Sequence, residues 1–273
     1  MGIFFTDYTV RPNKGGGAWM NSFVSQSNFD RKQIPIIANT CNFSPPDKNG
    51  ISLLSFEQVE TLFHEFGHAL HGLLSDVEYP SLAGTRVSRD FVELPSQLME
   101  NWGRHPEVIK TYAKHYKTGE TIPDELLEKI SKASTFNQGF ATTEYVAASY
   151  LDMAWHTIKD PVNDANKFED NVLDGIGLIP QIETRYRSTY FGHIFAGGYA
   201  TGYYSYLWTE VLEADAFEPF KDNGLFDKDT ADKLRKYIYS SGNSDDLMTQ
   251  YVRYRGSEPE IGPLLEKRGL DNF

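Results

Sequence analysis

The sequence is short of several things, and each shortage excludes a class of protein. It has 1 cysteine in 273 residues, so no disulfide can form within the chain, and nothing calls for an oxidising compartment. Cys41 lies in the apolar run 34–43 and reads as a small packed side chain, not a nucleophile. No apolar stretch reaches the ~20 residues that a membrane-spanning helix needs. The N-terminus, Met1-Gly2-Ile3-Phe4-Phe5, has no basic leader and soon meets Asp7, so it does not read as a secretion signal and the expected location is cytoplasmic. Positive charge is scarce too. With 26 Lys and Arg against 38 Asp and Glu, the net charge is −12, which excludes nucleic acid and an anionic membrane as main partners.

What the chain does have is material for a core. Hydrophobic residues make up 40%, and 18 Phe, 16 Tyr and 4 Trp are far more than a disordered chain carries. No internal repeat, low-complexity tract or Gly/Ser/Pro-rich linker divides it. Residues 2–12 and 34–43 read as strands joined through the loop Asn13-Lys14-Gly15-Gly16-Gly17, which lacks the residue order of a phosphate-binding loop. From residue 55 the apolar period becomes helical, with Val59, Leu62, Phe63, Phe66, Ala69, Leu70 and Leu73 on one face. Ser55 and Gln58 form a capping-box signature at its start. Helical patterns follow at 89–103, 106–117, 123–133, 137–158, 165–175, 180–190, 198–217, 228–240 and 244–252. The expected fold is mainly α with a small β patch near the N-terminus.

The helix at 55–74 carries His64-Glu65-Phe66-Gly67-His68. Four residues advance a helix by about 6 Å and slightly more than one revolution, so the two imidazoles stack on one face as a tetrahedral Zn²⁺ requires. Glu65 is rotated toward the open side of such a metal. There it can take a proton from the attacking water and return it to a leaving amine. Gly67 costs the helix about 1 kcal/mol relative to Ala, and its lack of a side chain is useful if another backbone or a substrate must come close. His71, one turn on, makes a merely His-rich face the competing explanation.

Catalytic zinc typically takes two His and one carboxylate and leaves a place open. The carboxylates that follow are Asp76, Glu78, Asp90, Glu93 and Glu100. Asp76 and Glu78 fall in the turn after the helix and point away. Glu93 lies among apolar residues in a segment that should pack on the first helix, where a buried carboxylate needs a positive partner; it is the expected third ligand. Glu100, seven residues later, is placed to orient a ligand imidazole. Pro95 should begin that helix near its first turn or kink it.

The segment 191–208 is dense in glycine and aromatic residues. Tyr199, Tyr203 and Tyr206 recur at helical spacing and are expected to share one face, with Tyr204 packed elsewhere. Phenols and the imidazole of His193 are suitable donors to the oxyanion that forms in peptide-bond hydrolysis, although an aromatic stripe in the core has the same spacing.

These motifs resemble the catalytic half of the thimet oligopeptidase family of zinc peptidases, in particular its bacterial peptidyl-dipeptidase and oligopeptidase A branch. The resemblance runs through Lys14-Gly15-Gly16-Gly17-Ala18-Trp19-Met20, the helix around His64, and Phe91-Val92-Glu93-Leu94-Pro95-Ser96-Gln97. It continues through Phe136-Asn137-Gln138-Gly139-Phe140, residues 193–206, and Tyr254-Arg255-Gly256-Ser257-Glu258-Pro259. It implies a neurolysin-like zincin fold with a channel that admits short peptides. His64, His68 and Glu93 would hold one Zn²⁺, with Glu65 as general base and acid. His193 and Tyr206 would stabilise the transition state, Tyr199 and Tyr203 would contact substrate, and the Gly84-Thr85 turn would pair with its backbone. Family members are longer, so residues 1–273 are expected to be a C-terminal catalytic domain of a larger chain, and the missing N-terminal helical region its partner. Release of C-terminal dipeptides is the leading expectation, with Arg253 or Arg255 as candidate carboxylate clamp. Internal cleavage of short peptides, or peptide binding without turnover, are the alternatives.

Overall fold

The computed structural model describes residues 2–271. At the front, β1 (Ile3–Thr9) pairs in parallel with β3 (Ile36–Phe43), and β2 (Trp19–Val24) pairs with β3 from the other side in the antiparallel sense, giving the order β1-β3-β2. The central β3 buries Ile37, Ala38, Cys41 and Phe43. Burial, with the nearby Glu65 charge adding to it, pushes the Cys41 thiol up to about 11, as expected of a packed cysteine. Strand β2 was not anticipated, because Trp19-Met20-Asn21-Ser22 shows no alternation of apolar and polar residues; it lies at the edge of the sheet. Lys14 has a purely structural task. Its Nζ donates to the carbonyls of Asp7 (2.9 Å), Thr9 (3.0 Å) and Cys41 (2.5 Å), tying the glycine loop across β1 and β3.

Behind the sheet lies α1 (Phe56–Leu73). Its capping box forms as expected: Gln58 N–H donates to Ser55 Oγ at 3.2 Å, and Ser55 N–H donates to Gln58 Oε1 at 3.0 Å. Next come the short α2 (Arg89–Val92) and α3 (Leu94–Arg104), separated at Glu93, with Pro95 in the first turn of α3. There the missing proline N–H costs nothing. Helices α1 and α3 cross at Gly67. A Cβ at that position would lie 2.4 Å from the Pro95 carbonyl oxygen and 2.6 Å from Ser96 Cα. The glycine is therefore required by the crossing.

The remaining helices are α4 (Pro106–Tyr112), α5 (Asp124–Ser134), α6 (Gln138–Thr157), α7 (Ala165–Gly175), α8 (Gly192–Phe195), α9 (Ser205–Asn223), α10 (Lys228–Leu234), α11 (Leu247–Arg255) and α12 (Gly262–Lys267). A π-helical turn, Arg235–Tyr239, continues α10. The main core forms where α3, α9, α10 and α11 meet, around Leu94, Leu98, Leu212, Phe217, Ile238 and Tyr251. Trp102 sets its indole edge-on to Phe217 and Phe220, with centroids 5.1 and 4.8 Å away.

Three helical expectations fail locally. Residues 113–117 leave the helix because His115 N–H pairs with the Glu120 carbonyl (2.8 Å) around Gly119, whose φ is +75°. Residues 180–190 form turns and a short 3₁₀ segment, Ser188–Tyr190, because buried Glu169 takes the Ser188 N–H at 2.6 Å and also binds Arg187. Residues 198–204 are likewise turns, because buried Asp152 on α6 accepts from Thr201 N–H and Tyr203 N–H, each at 2.9 Å. An amide held by a carboxylate is lost to the helical ladder. Helix α9 therefore starts at Ser205 and runs on to Asn223, and α12 appears where no helix was expected.

Gly67→Ala gains about 1 kcal/mol in helix propensity but drives a methyl group into backbone that cannot move aside cheaply, where overpacking costs about 1–3 kcal/mol or more. The expected net result is a fall of several degrees in the melting temperature, at roughly 2–4 °C per kcal/mol for a chain this long. Thermal denaturation of the two proteins measures it.

Candidate metal centre and its cleft

The crossing of α1 and α3 brings His64, His68 and Glu93 together, with one potential ligand atom from each within 4.8 Å of the others. His64 Nε2 lies 3.3 Å and His68 Nε2 3.1 Å from the same oxygen, Glu93 Oε2. The two rings stand nearly perpendicular, at 86°, with centroids 5.0 Å apart. Two imidazole nitrogens and one carboxylate oxygen, converging without any sulfur, suit Zn²⁺ with a place left open.

The surroundings orient each group. Glu100 Oε1 binds His64 Nδ1 at 2.8 Å, which leaves Nε2 for a metal, as the sequence position of Glu100 suggested. Arg104 in turn binds Glu60 at 2.6 Å and lies 3.7 Å from Glu100. Ser96 donates its hydroxyl to Glu93 Oε2 at 3.0 Å, and Tyr199 donates its hydroxyl to Glu93 Oε1 at 2.6 Å. The bond from Tyr199 was not foreseen; it attaches this phenol to the carboxylate where a contact with substrate was expected. Among the described residues, His71 stands outside the cluster. It is fully buried, neither ring nitrogen has a hydrogen-bond partner, and burial lowers its pKa to about 3, so it stays neutral.

Charge is distributed unequally over the two carboxylates nearest the metal position. Burial works against an ionised Glu93, but His68 and His64 outweigh it and hold the carboxyl well below its usual range. Glu65 is only 5% exposed. Burial raises its pKa, partly offset by His64 and His68, and its Oε2 has no partner. For His64, burial disfavours the charged ring, yet the bonds to Glu100 and Glu93 prevail and raise its pKa well above the ordinary value.

The cluster opens on a cleft of about 710 Å³. One wall is the edge strand β2, through Trp19 to Ser22. The others are α1, the loop 83–89, and His193, Tyr199 and Tyr206. Gly84 and Thr85 line the cleft, and the Gly84 amide already donates to Ser75 Oγ at 3.1 Å. With φ +55°, Gly84 lies so close to α1 that a Cβ would be 2.9 Å from Gly72 Cα. His193 precedes the turn held by Asp152, and burial and Arg185 lower its pKa, so the ring is neutral with one N–H to give. Tyr206 faces it, with ring centroids 6.3 Å apart. Burial, with Glu93 and Tyr199 nearby, raises the Tyr206 phenol far above its normal range, which keeps it a donor.

Tyr203 takes a different place from the one expected. It is 3% exposed, packed on Phe191 (4.8 Å) and Tyr145 (5.1 Å), and it lines a neighbouring cavity instead of the metal cleft. The three tyrosines do not share a helical face, since Tyr199 and Tyr203 precede α9; Tyr199 and Tyr206 nonetheless stack at 5.0 Å. Tyr204 is 46% exposed, not packed away. Arg253 and Arg255 are both engaged outside the cleft: Arg253 binds Asp245 at 2.5 Å and Arg255 binds buried Asp215 at 3.1 Å. The residue missed by sequence reasoning is Asp152, an acidic side chain on the buried face of α6, whose only signal was its place among apolar neighbours.

Two imidazoles and a carboxylate converging beside a buried glutamate without a hydrogen-bond partner make a candidate metal site on a mostly helical fold. The chain belongs to peptidase family M3, which it matches over residues 1–270. It is 45% identical to dipeptidyl carboxypeptidase of Salmonella typhimurium over 99% of its length, and 39% identical to oligopeptidase A of Escherichia coli over 98%. It spans 40% of the length of each of these relatives. Its fold is similar to that of a solved structure described as PZ peptidase A with inhibitor 2, with a TM-score of 0.57 at 17% identity, covering 97% of this chain and 42% of that one. No helix among the described residues is long and apolar enough to cross a membrane.

Because the metal-free His64 holds a proton up to its raised pKa, a metal must displace that proton. Affinity for Zn²⁺ should therefore rise with pH, by about tenfold per unit while His64 remains protonated, and level off above its pKa. The same raised pKa stabilises the metal-free fold fully below about pH 6.5, and that contribution is lost as pH rises through the raised value. Glu100→Gln removes the anionic partner and should weaken zinc binding by roughly 10- to 100-fold. Competitive chelator titrations across pH measure both effects on zinc affinity, and denaturant unfolding of the metal-free protein across pH measures the effect on stability.

Proposed function

We propose that residues 1–273 are the catalytic portion of a longer zinc peptidase that hydrolyses short peptides and releases C-terminal dipeptides. The observation that carries the reading is the convergence of His64, His68 and Glu93 at 4.8 Å or less beside a Glu65 oxygen with no partner. Membership of the peptidase family and the names of the relatives support it. The relatives extend well beyond this chain, which supports a further region of the same protein as partner across the cleft. A relative from Arabidopsis thaliana named probable cytosolic oligopeptidase A supports a cytoplasmic site of action.

One Zn²⁺ held by His64, His68 and Glu93 supplies Lewis acidity toward the peptide carbonyl and the attacking water. This chain does the rest. Glu65, its basicity raised by burial, accepts the water proton at its free carboxylate oxygen and delivers it to the leaving amine. His193 N–H and Tyr206 O–H donate to the oxygen that becomes negative. Tyr199 holds Glu93 through its hydroxyl, and the Gly84-Thr85 turn and the edge of β2 flank the peptide. Tyr203 supports the aromatic wall from behind.

The name oligopeptidase A among the relatives favours internal cleavage as a second reading, and the coverage of 40% favours binding without turnover by this portion alone. Glu65→Gln should lower peptide hydrolysis by roughly 10²- to 10⁴-fold while zinc stays bound at one equivalent. Substantial residual turnover would remove Glu65 from its role. Zinc retained without any hydrolysis by the unaltered chain would select the binding reading. Tyr206→Phe should reduce kcat by roughly 10²- to 10³-fold with little change in KM, measured by steady-state kinetics on the same peptide.

A further inference from the structure

The cleft contains a pair of cations that the proposed chemistry does not use. Among the residues lining it, Arg86 and Arg89 are the ones with a permanent positive charge. No hydrogen bond or ion pair engages either guanidinium among the described residues. Other arginines do find carboxylates, such as Arg104 on Glu60, Arg253 on Asp245 and Arg255 on Asp215. Both side chains are exposed, and in a protein of net charge −12 two guanidiniums without a carboxylate partner at one wall of one cleft are free to take an anionic ligand.

Their position narrows what that ligand is. Arg89 Cζ lies 4.8 Å from the centroid of the Tyr199 ring, whose hydroxyl is 2.6 Å from Glu93 Oε1. The guanidinium is thus one tyrosine away from a metal-ligand carboxylate. The site is fitted closely around it: a Cβ on Gly198, which has φ +79°, would lie 2.8 Å from Arg89 Nη2. Two residues of extended chain span about 7 Å, comparable to the length of that tyrosine. A peptide whose scissile carbonyl sits at the metal centre can therefore bring a carboxylate two residues downstream to Arg89.

We propose, on the peptidase reading above, that Arg89, with Arg86 three residues earlier on the same wall, binds the C-terminal carboxylate of the peptide and so sets cleavage at the dipeptide position. A guanidinium fork matches a carboxylate with two parallel N–H···O bonds. Its position over the Tyr199 ring holds the planar fork in place and leaves its N–H donors free. Arg253 and Arg255, the cations suggested by sequence alone, are excluded by their existing partners.

The test compares one peptide with a free C-terminal carboxylate and the same peptide as its C-terminal amide. Hydrolysis by the zinc-loaded chain is measured for the unaltered protein and for Arg89→Gln, Arg89→Lys, Arg86→Gln and the double Gln variant. Calorimetric binding of the dipeptide Ala-Ala and of Ala-Ala amide provides a readout independent of turnover. The expected result is a preference for the free acid in the unaltered protein that falls by roughly 10- to 100-fold in the double variant, in both hydrolysis and dipeptide binding, with Arg89→Lys intermediate. An unchanged preference, or an equal loss on acid and amide, would overturn it; the equal loss would make Arg89 a positioning residue for Tyr199. If the unaltered chain hydrolyses neither peptide, the function proposed above fails, and the Ala-Ala binding comparison still decides the role of the arginines: preference for the acid that the double variant loses supports it, and no preference overturns it.

Discussion

The site depends on how closely α1 and α3 can approach, and that distance is set where Gly67 meets the backbone of Pro95 and Ser96. Glu93 lies just before this contact and His68 just after it in α1, so backbone proximity at the crossing becomes side-chain convergence one turn away. Ser96 links the two directly. Its Cα is what a methyl group at Gly67 would strike, and its hydroxyl binds Glu93. Packing and ligand orientation are therefore the same feature. The capping box of α1 and the early Pro95 of α3 fix where each helix begins, and hence which residues meet at the crossing.

Bringing ionisable groups together inside such a crossing is costly unless each finds a partner. The four groups around the metal position divide that requirement unequally. Glu93 is surrounded by donors from His64, His68, Ser96 and Tyr199 and stays ionised. Glu65, buried beside it, has no donor at Oε2 and keeps a raised pKa. Two carboxylates in one cleft, driven in opposite directions by their surroundings, is the arrangement expected when one binds a metal and the other moves protons. Glu100 and Arg104 extend the network outward, so the charge on His64 is balanced across α1 and α3.

Much of the site was legible because short-range spacing is sufficient to place two histidines and a glutamate on a helix. The convergence of Glu93 on the two histidines was legible by its apolar setting, and Glu100 by its spacing from it. Periodicity failed where a distant buried carboxylate took backbone amides out of a helix. Glu169 does this at Ser188, and Asp152 at Thr201 and Tyr203. Neither partner is near in sequence, so no window of apolar periodicity could register it. The misplaced tyrosines have the same origin: a three-phenol face exists only if 198–204 is helical. Strand β2 escaped notice because it borrows its stability from β3 and carries little pattern of its own.

That loop geometry also explains why Tyr199 behaves as it does. As part of α9, Tyr199 would follow the helical spacing of Tyr206 and could not be pinned separately. Held in a turn by Asp152, it reaches Glu93 Oε1 with its hydroxyl and stacks on Tyr206 with its ring. The Glu93 oxygen facing both imidazoles is Oε2, and Oε1 is already engaged, so the carboxylate presents one oxygen to the metal position. Arg89 packs over the same ring and against Gly198. Glu93, the aromatic wall and Arg89 consequently meet at one turn, which the buried Asp152 holds through two backbone amides.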